Sequence, residues 1–214
     1  MPKPTLRELS RQASRQRIAD VALELFTQHG YDATTVEEIA AAAGISERTF
    51  FRYFATKDEA FFANTAEETA AVVALVESRP PGEAPWDALQ HAVEHTLSKL
   101  DQQAEYERGR KFQQILAGSA DLSAHQYARM SESQDLIGEV LWRRWAAAQQ
   151  RAIPESEEAD MRLVLRALVG SMLGVLSEIL MRAEDRTPEA RMALVRATLD
   201  AIRPGRGDIG GARD

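Results

Sequence analysis

The chain of 214 residues contains no cysteine. Disulfides, thiolate metal sites, thiol nucleophiles and cysteine redox switches are therefore excluded. It also lacks a long apolar run. Its most apolar stretch, around Ala167 to Leu176, is bounded by Arg166 and Glu178 and falls far short of the roughly 20 residues that a membrane-spanning helix needs. Behind Met1 stand Pro2, Lys3, Pro4 and a polar run instead of the apolar centre of a secretory signal. A cytoplasmic protein with no membrane partner is expected. Lysine is scarce beside arginine, and positive charge is the minority sign, with a net charge of −7. Such a balance is unusual for a chain that handles nucleic acid, so the distribution of charge matters more than its total.

The distribution is lopsided. Lys3, Arg7, Arg11, Arg15 and Arg17 face only Glu8 in the first 17 residues, a local charge of +4 that leaves −11 for the rest. A basic end can engage phosphates, while an acidic body repels them from the wrong face. The length allows one large domain or two small ones with a real core. Hydrophobic periodicity is helical almost throughout, with no alternating strand pattern. Arg7, Arg11 and Arg15 recur every fourth residue along one helix face, and Ile18, Ala22, Leu25 and Phe26 form the apolar face of the same helix. Gly30 ends it.

The stretch from Gly30 to Phe61 carries the most information. Thr35 with Glu38 forms a capping box that opens a second helix with Val36, Ile39, Ala40 and Ala43 turned inward. Gly44 makes a turn and Ile45 plugs it. Ser46 caps a third helix that runs to about Phe54, and Thr56 with Glu59 opens a fourth that reaches Glu77. Two short helices around a tight turn, the second rich in aromatics and arginine, form a helix-turn-helix. Small Ala40 and Ala43 allow the close approach, and Phe50 and Phe54 fill the space beneath with Ile39. Ser46, Arg48 and Thr49 then stand at the end of the third helix that enters a major groove. Arg48 and Arg52, four apart, can donate paired hydrogen bonds to guanine O6 and N7. Thr35, Tyr53 and Lys57 are placed against phosphates, which fix register without reading sequence. Phe51 lies against sugars or thymine methyls.

These residues resemble the N-terminal domain of the TetR family of bacterial regulators. The likeness runs through Ile18, Ala22, Leu25-Phe26 and Gly30-Tyr31, then Thr34-Thr35-Val36, Ile39-Ala40 and Ala43-Gly44-Ile45-Ser46, then Thr49-Phe50-Phe51-Arg52-Tyr53-Phe54 and Lys57. Phe51 stands where the family commonly has tyrosine, which removes one phosphate-binding hydroxyl. The resemblance implies an all-helical homodimer that binds a double-stranded, palindromic DNA operator and releases it when a small-molecule effector binds. It also implies that the last two helices pair with their symmetry mates, which places the homodimer interface on residues 160–202.

The expected fold is thus all-α with about nine helices. A three-helix helix-turn-helix domain with a basic N-terminal arm covers 1–56. A helical ligand-binding and dimerisation bundle covers 57–203, and a disordered tail, with an Arg206-Gly207-Asp208 triplet read as chance, covers 204–214. Helices are expected over 86–102, 105–118, 122–151, 157–183 and 188–202, after the breaker Arg79-Pro80-Pro81-Gly82. In this bundle Leu165, Leu168, Val169, Met172, Leu173 and Leu176 make one helix apolar on more than one face, and Gly170 and Gly174 leave room for a neighbouring helix. Phe112, Ile115, Leu116, Trp142, Trp145 and Met172 are the candidate ligand-binding residues. The body also resembles the ligand domain of mycofactocin-system regulators, through Arg79-Pro80-Pro81-Gly82, Trp86, Leu89, Ala92-Val93, Arg110 and Ile115-Leu116. That likeness implies an acyl-CoA-like effector whose anionic group meets Arg108 or Arg110.

One motif points elsewhere. His91-Ala92-Val93-Glu94-His95 matches H-x-x-E-H, in which two histidines on one helix face grip zinc beside a glutamate base. A zinc hydrolase also needs a third ligand, for which Glu178 is the only suggestion, and a larger catalytic chamber. The triad is read as helix surface. No enzyme activity, metal or cofactor is expected, and the function is that of a ligand-responsive repressor, with a helix-turn-helix activator as the alternative.

Overall fold

The computed structural model describes residues 5–98, 103–182 and 186–203, and among these it contains ten α-helices and no strand. The expected tail, with its Arg206-Gly207-Asp208 triplet, lies outside the described residues. The chain divides into two compact units, Met1–Glu67 with Gln114–Ala124, and Glu68–Gln113 with His125–Asp214.

The first unit opens with α1 (Leu6–His29), whose start is fixed by a reciprocal capping box. The Thr5 backbone N–H donates to Glu8 at 2.7 Å, and the Glu8 N–H donates to the Thr5 hydroxyl at 3.3 Å. From Arg7 to Arg17 the basic arm is therefore the first half of a helix. Ile18, Ala19, Ala22, Leu23 and Phe26 are its buried face; Leu23 takes the place expected of Leu25, which is only half-buried. Gly30 ends the helix at φ 84°, donating its N–H to the Phe26 carbonyl. Next come α2 (Val36–Ala43), α3 (Glu47–Tyr53) and α4 (Lys57–Phe61), with α1 against α2 and α4, and α2 against α3.

The single helix expected over 57–77 is in fact two. A break at Phe62 (φ −88°, ψ 6°) separates α4 from α5 (Ala63–Glu77). Phe61 and Phe62 are both buried and meet edge-on at 4.9 Å. The break lets two consecutive rings enter one core. The capping box expected at Thr56 is half-formed: its hydroxyl accepts the Glu59 N–H at 3.2 Å, but the Glu59 carboxylate reaches back to the Ala55 N–H at 2.9 Å.

The second unit contains α6 (Pro85–Ser98), most of α7 (Gln103–Gly118) and of α8 (Ala120–Ala148), α9 (Glu155–Arg182) and α10 (Pro188–Ala201). The Arg79-Pro80-Pro81-Gly82 breaker is a loop inside this unit. Arg79 pairs with Glu83 at 2.5 Å, and Arg144 donates to the Arg79 and Pro80 carbonyls at 2.9 and 2.8 Å. One guanidinium thus ties down the carbonyls of a turn that lies outside any helix. Trp86, Leu89, Leu141, Trp142, Leu165 and Met172 belong to one apolar core with Val195 and Leu199 of α10. Gly138 admits the backbone of α9, since a Cβ there would lie 3.8 Å from Arg166 Cα. Gly170 faces Gln134 of α8, where a Cβ would meet the amide at 3.1 Å; Gly174 has open space.

Candidate nucleic-acid interface and effector site

The turn between α2 and α3 is a Schellman motif. Gly44 sits in the left-handed region (φ 70°, ψ 34°), its N–H donates to Ala41 at 3.1 Å, and the Ile45 N–H donates to Ala40 at 2.9 Å. Ser46 then caps α3, its hydroxyl accepting the Thr49 N–H at 3.2 Å and lying 3.0 Å from the Thr49 hydroxyl. Beneath α3, Phe50 and Phe54 are buried with Ile39. This anchoring decides what faces outward. Ser46, Arg48, Phe51 and Arg52 are exposed and Thr49 is half-exposed. Phe51, 51% exposed, meets Phe50 edge-on at 5.7 Å, so one of two adjacent rings is core and the other surface.

Tyr53 closes the outward face beside α1. Its phenol is held below its ordinary value, chiefly by a hydrogen bond with Ser14, then by one with Arg52, with Arg11 adding a weaker charge effect. Arg52 lies 5.3 Å from the Tyr53 ring centre. Ser14 and Arg11 on α1 thus share a basic patch with the end of α3, which their sequence separation conceals. Arg15 has a different duty. It donates to the Tyr53 carbonyl at 2.6 Å and lies 4.3 Å from the Phe54 ring centre. A cation on the last carbonyls of a helix complements its dipole, so Arg15 locks α1 to α3.

Thr35 and Lys57, expected on phosphates, are occupied inside the protein. The Thr35 hydroxyl donates to Glu38 at 3.1 Å and accepts the Glu38 N–H at 3.2 Å. The carboxylate is held below the usual range by the Thr35 backbone N–H and then its hydroxyl. The Lys57 ammonium donates to the Tyr31 and Thr34 carbonyls at 2.9 and 3.2 Å and stands 4.2 Å from the Tyr31 ring centre. An ammonium has three protons, so at most one is left for a phosphate. The adjacent Asp58 accepts from the buried Tyr31 hydroxyl. Burial raises the Tyr31 phenol well above its ordinary value, and the Asp58 hydrogen bond and charge add to this. Tyr31, Lys57 and Asp58 form a clasp between the α1–α2 loop and α4 that sequence reasoning missed.

The six candidate ligand-binding residues are not grouped as one lining. Trp142, Trp145 and Met172 are core residues of the second unit, the two indoles 5.4 Å apart. Phe112 is half-buried in the same unit, whereas half-buried Ile115 and Leu116 fall in the segment that belongs with the first. A cavity of about 520 Å³ in the second unit is bordered instead by α9 and α10, through Val175, Ile179, Leu194 and Thr198 with Glu178 and Arg182. His91 and His95 are exposed, and Glu94 accepts from Gln90 at 3.0 Å and faces Arg196 at 3.8 Å. Among the described residues no group of three potential metal ligands occurs. No helix of the described residues is long and apolar enough to cross a membrane.

A glycine-turned pair of short helices that buries Phe50 and Phe54 and exposes Arg48 and Arg52 defines a helix-turn-helix protein. Residues 18–63 match the family described as bacterial regulatory proteins, tetR family. The chain is 39% identical over 97 residues to the regulator TcmR of Streptomyces glaucescens, covering 45% of this chain and 43% of that one. It is 30% identical over 134 residues to a putative mycofactocin biosynthesis regulator, MftR, of Mycobacterium tuberculosis, covering 63% of this chain and 67% of that one. It thus spans less than half the length of the first relative and two thirds of the second. Among solved structures, a putative TetR-family regulator from Syntrophomonas wolfei superposes with a TM-score of 0.63 at 17% identity, covering 91% of this chain and 97% of that one. SmeT of Stenotrophomonas maltophilia, in its complex with triclosan, gives 0.58 at 23% identity, covering 95% and 99%. At these identities the structural likeness is one of fold. The chain belongs to the TetR family of transcriptional regulators.

Proposed function

We propose that the protein is a homodimeric repressor that binds a palindromic operator through α3 and releases it when a small apolar effector enters the second unit. The observation that carries this reading is the outward face of α3. Arg48, Thr49 and Arg52 stand together on a short helix whose start, end and underside are all fixed. Such a face meets a major groove without first having to be ordered, and two copies related by a twofold axis call for a palindrome. The basic half of α1 supplies phosphate contacts beside it, while the acidic remainder of the chain disfavours other docking faces. In the second unit α9 carries exposed Leu163, Ala167 and Ser171 on the side opposite its core face, and α10 carries exposed Ala193 and Ala197. Small Ala167, Ser171, Ala193 and Ala197 on two adjacent helices suit close packing against a second copy, which supports a dimer interface within 160–202. A coupling between effector and operator of about 1–3 kcal/mol suffices for release.

The test is a gel-shift titration on DNA flanking the protein's own gene, at several salt concentrations. Arg52→Ala is expected to cost about 1–3 kcal/mol of operator affinity and to relax sequence choice at one position per half-site. Unchanged affinity and specificity in that variant would remove Arg52 from the reading face.

A further inference from the structure

Arg191 is a buried charge that the fold answers only in part. It sits in the first turn of α10 on the stripe Arg191–Val195–Leu199 that faces the apolar core, and it is 7% exposed. The other two positions of that stripe are plain apolar core. A guanidinium so placed is ordinarily held by a carboxylate, because burial of an unpaired charge is strongly unfavourable. Among the described residues no carboxylate lies within ion-pair distance of it, and the one whose titration feels its charge, Glu189, is exposed on the same helix turn. Arg191 Nη1 donates to the Arg186 carbonyl at 2.7 Å, and its Cζ lies 3.7 Å from the Tyr106 ring centre. Its Nη2 is fully buried and has no hydrogen-bond partner among the described residues. Tyr106 of α7 shares the condition. It is 3% exposed, and its phenolic oxygen is buried with no such partner either.

Two unsatisfied donors therefore occur on one stacked pair of side chains. Both call for an acceptor, and the positive charge calls for an anionic one. The cavity between α9 and α10 is lined by Arg186, whose carbonyl accepts from Arg191, and by apolar Val175, Ile179 and Leu194, so the rest of such a molecule meets hydrocarbon. Arg108 and Arg110, considered from sequence for this duty, are only half-buried, and Arg108 faces Glu105 at 3.6 Å. We propose that Arg191 and Tyr106 form the polar end of the effector site, holding the anionic oxygen group, carboxylate or phosphate, of an otherwise apolar small molecule. This rests on the reading of the second unit as effector-binding.

The experiment measures the melting temperature of the full chain with straight-chain carboxylates, alkyl phosphates and alcohols of four to twelve carbons, each below its micellar concentration. The expected result is that the carboxylate or the phosphate of some length stabilises at a concentration at least tenfold below that of the matching alcohol. Comparison of the two anions tells which headgroup the site takes. Arg191→Met is expected to abolish the preference for anion over alcohol. Tyr106→Phe, which leaves the guanidinium in place, is expected to weaken it severalfold. If Arg191→Met does not fold, Arg191→Lys replaces it, expected to retain the preference only in part. Absence of any anion preference in the parent protein, or a preference undiminished in these variants, would overturn the proposal. Gel shifts on the same samples separate the two readings. Intact DNA binding without anion preference sinks the anion site alone, and anion preference without DNA binding sinks the operator-binding function.

Discussion

Lys57 and Arg15 show how some charges in one small unit hold the fold while others stay on its surface. Each donates to backbone carbonyls and lies over an aromatic ring, whereas Arg48 is exposed with no ion pair among the described residues. Lys57→Ala is therefore expected to do two things. It should lower stability by about 1.5–3 kcal/mol, the range for hydrogen bonds to charged groups, seen in denaturant unfolding. It should also weaken binding to all DNA sequences alike and flatten the salt dependence. Tyr31 gives a pH signature. Its phenol is raised in the folded state, so the folded protein keeps a proton that the unfolded chain loses near its ordinary value of 10.0. This contribution is fully present below that pH and is lost as pH rises above it. Melting curves from pH 8 to 11 are expected to show a steeper alkaline loss for the parent protein than for Tyr31→Phe. At this scale the sequence spoke clearly about Phe50, Phe51 and Phe54, because helical spacing separates core from surface. It was silent on the Tyr31–Lys57–Asp58 clasp and on Ser14 beside Tyr53, because those contacts join residues 26 to 39 positions apart and leave no local periodicity.

At the scale of elements, caps and glycines decided most of what could be read. Thr5, Thr35, Ser46, Thr56 and Thr187 all cap helices, and such residues are visible in a sequence because short hydroxyls satisfy the free N–H groups of a first turn. Gly44 is the sharpest case. Its positive φ sets the angle between α2 and α3, and no side chain lies in the way of a Cβ there. Gly44→Ala is thus expected to cost only the left-handed backbone penalty, about 1–2 kcal/mol, in thermal or urea unfolding, with DNA affinity falling if the recognition helix tilts. The break at Phe62 could not be read in advance. Neither glycine nor proline marks it, and it answers to the shape of an aromatic core assembled from α1, the following loop and α4. The grouping of Gln114–Ala124 with the first unit was equally hidden, since it depends on where the junction of α7 and α8 ends up.

For the whole molecule, the charge asymmetry and the two-unit division suit the proposed separation of DNA reading at one end of the sequence from control in the rest. The dimer proposed for α9 and α10 is open to direct test. Ala167→Arg and Ala197→Arg put charge on exposed, small-residue faces, where they cost little in the monomer's own core. Sedimentation is expected to show the parent protein as a dimer and the double variant as a folded monomer with much weaker operator affinity. The proposed grip of Arg191 and Tyr106 on an anion gives the effector a chemistry that six apolar candidates could not. The most direct test of the central claim is a nuclease footprint of the full chain on the DNA flanking its own gene, with and without Arg48→Ala and Arg52→Ala together. The expected result is a protected palindrome that fades with salt and is lost in the folded double variant. A footprint unchanged in that variant, or none from the correctly folded parent on any flanking DNA, would contradict the assignment of α3 as the reading helix.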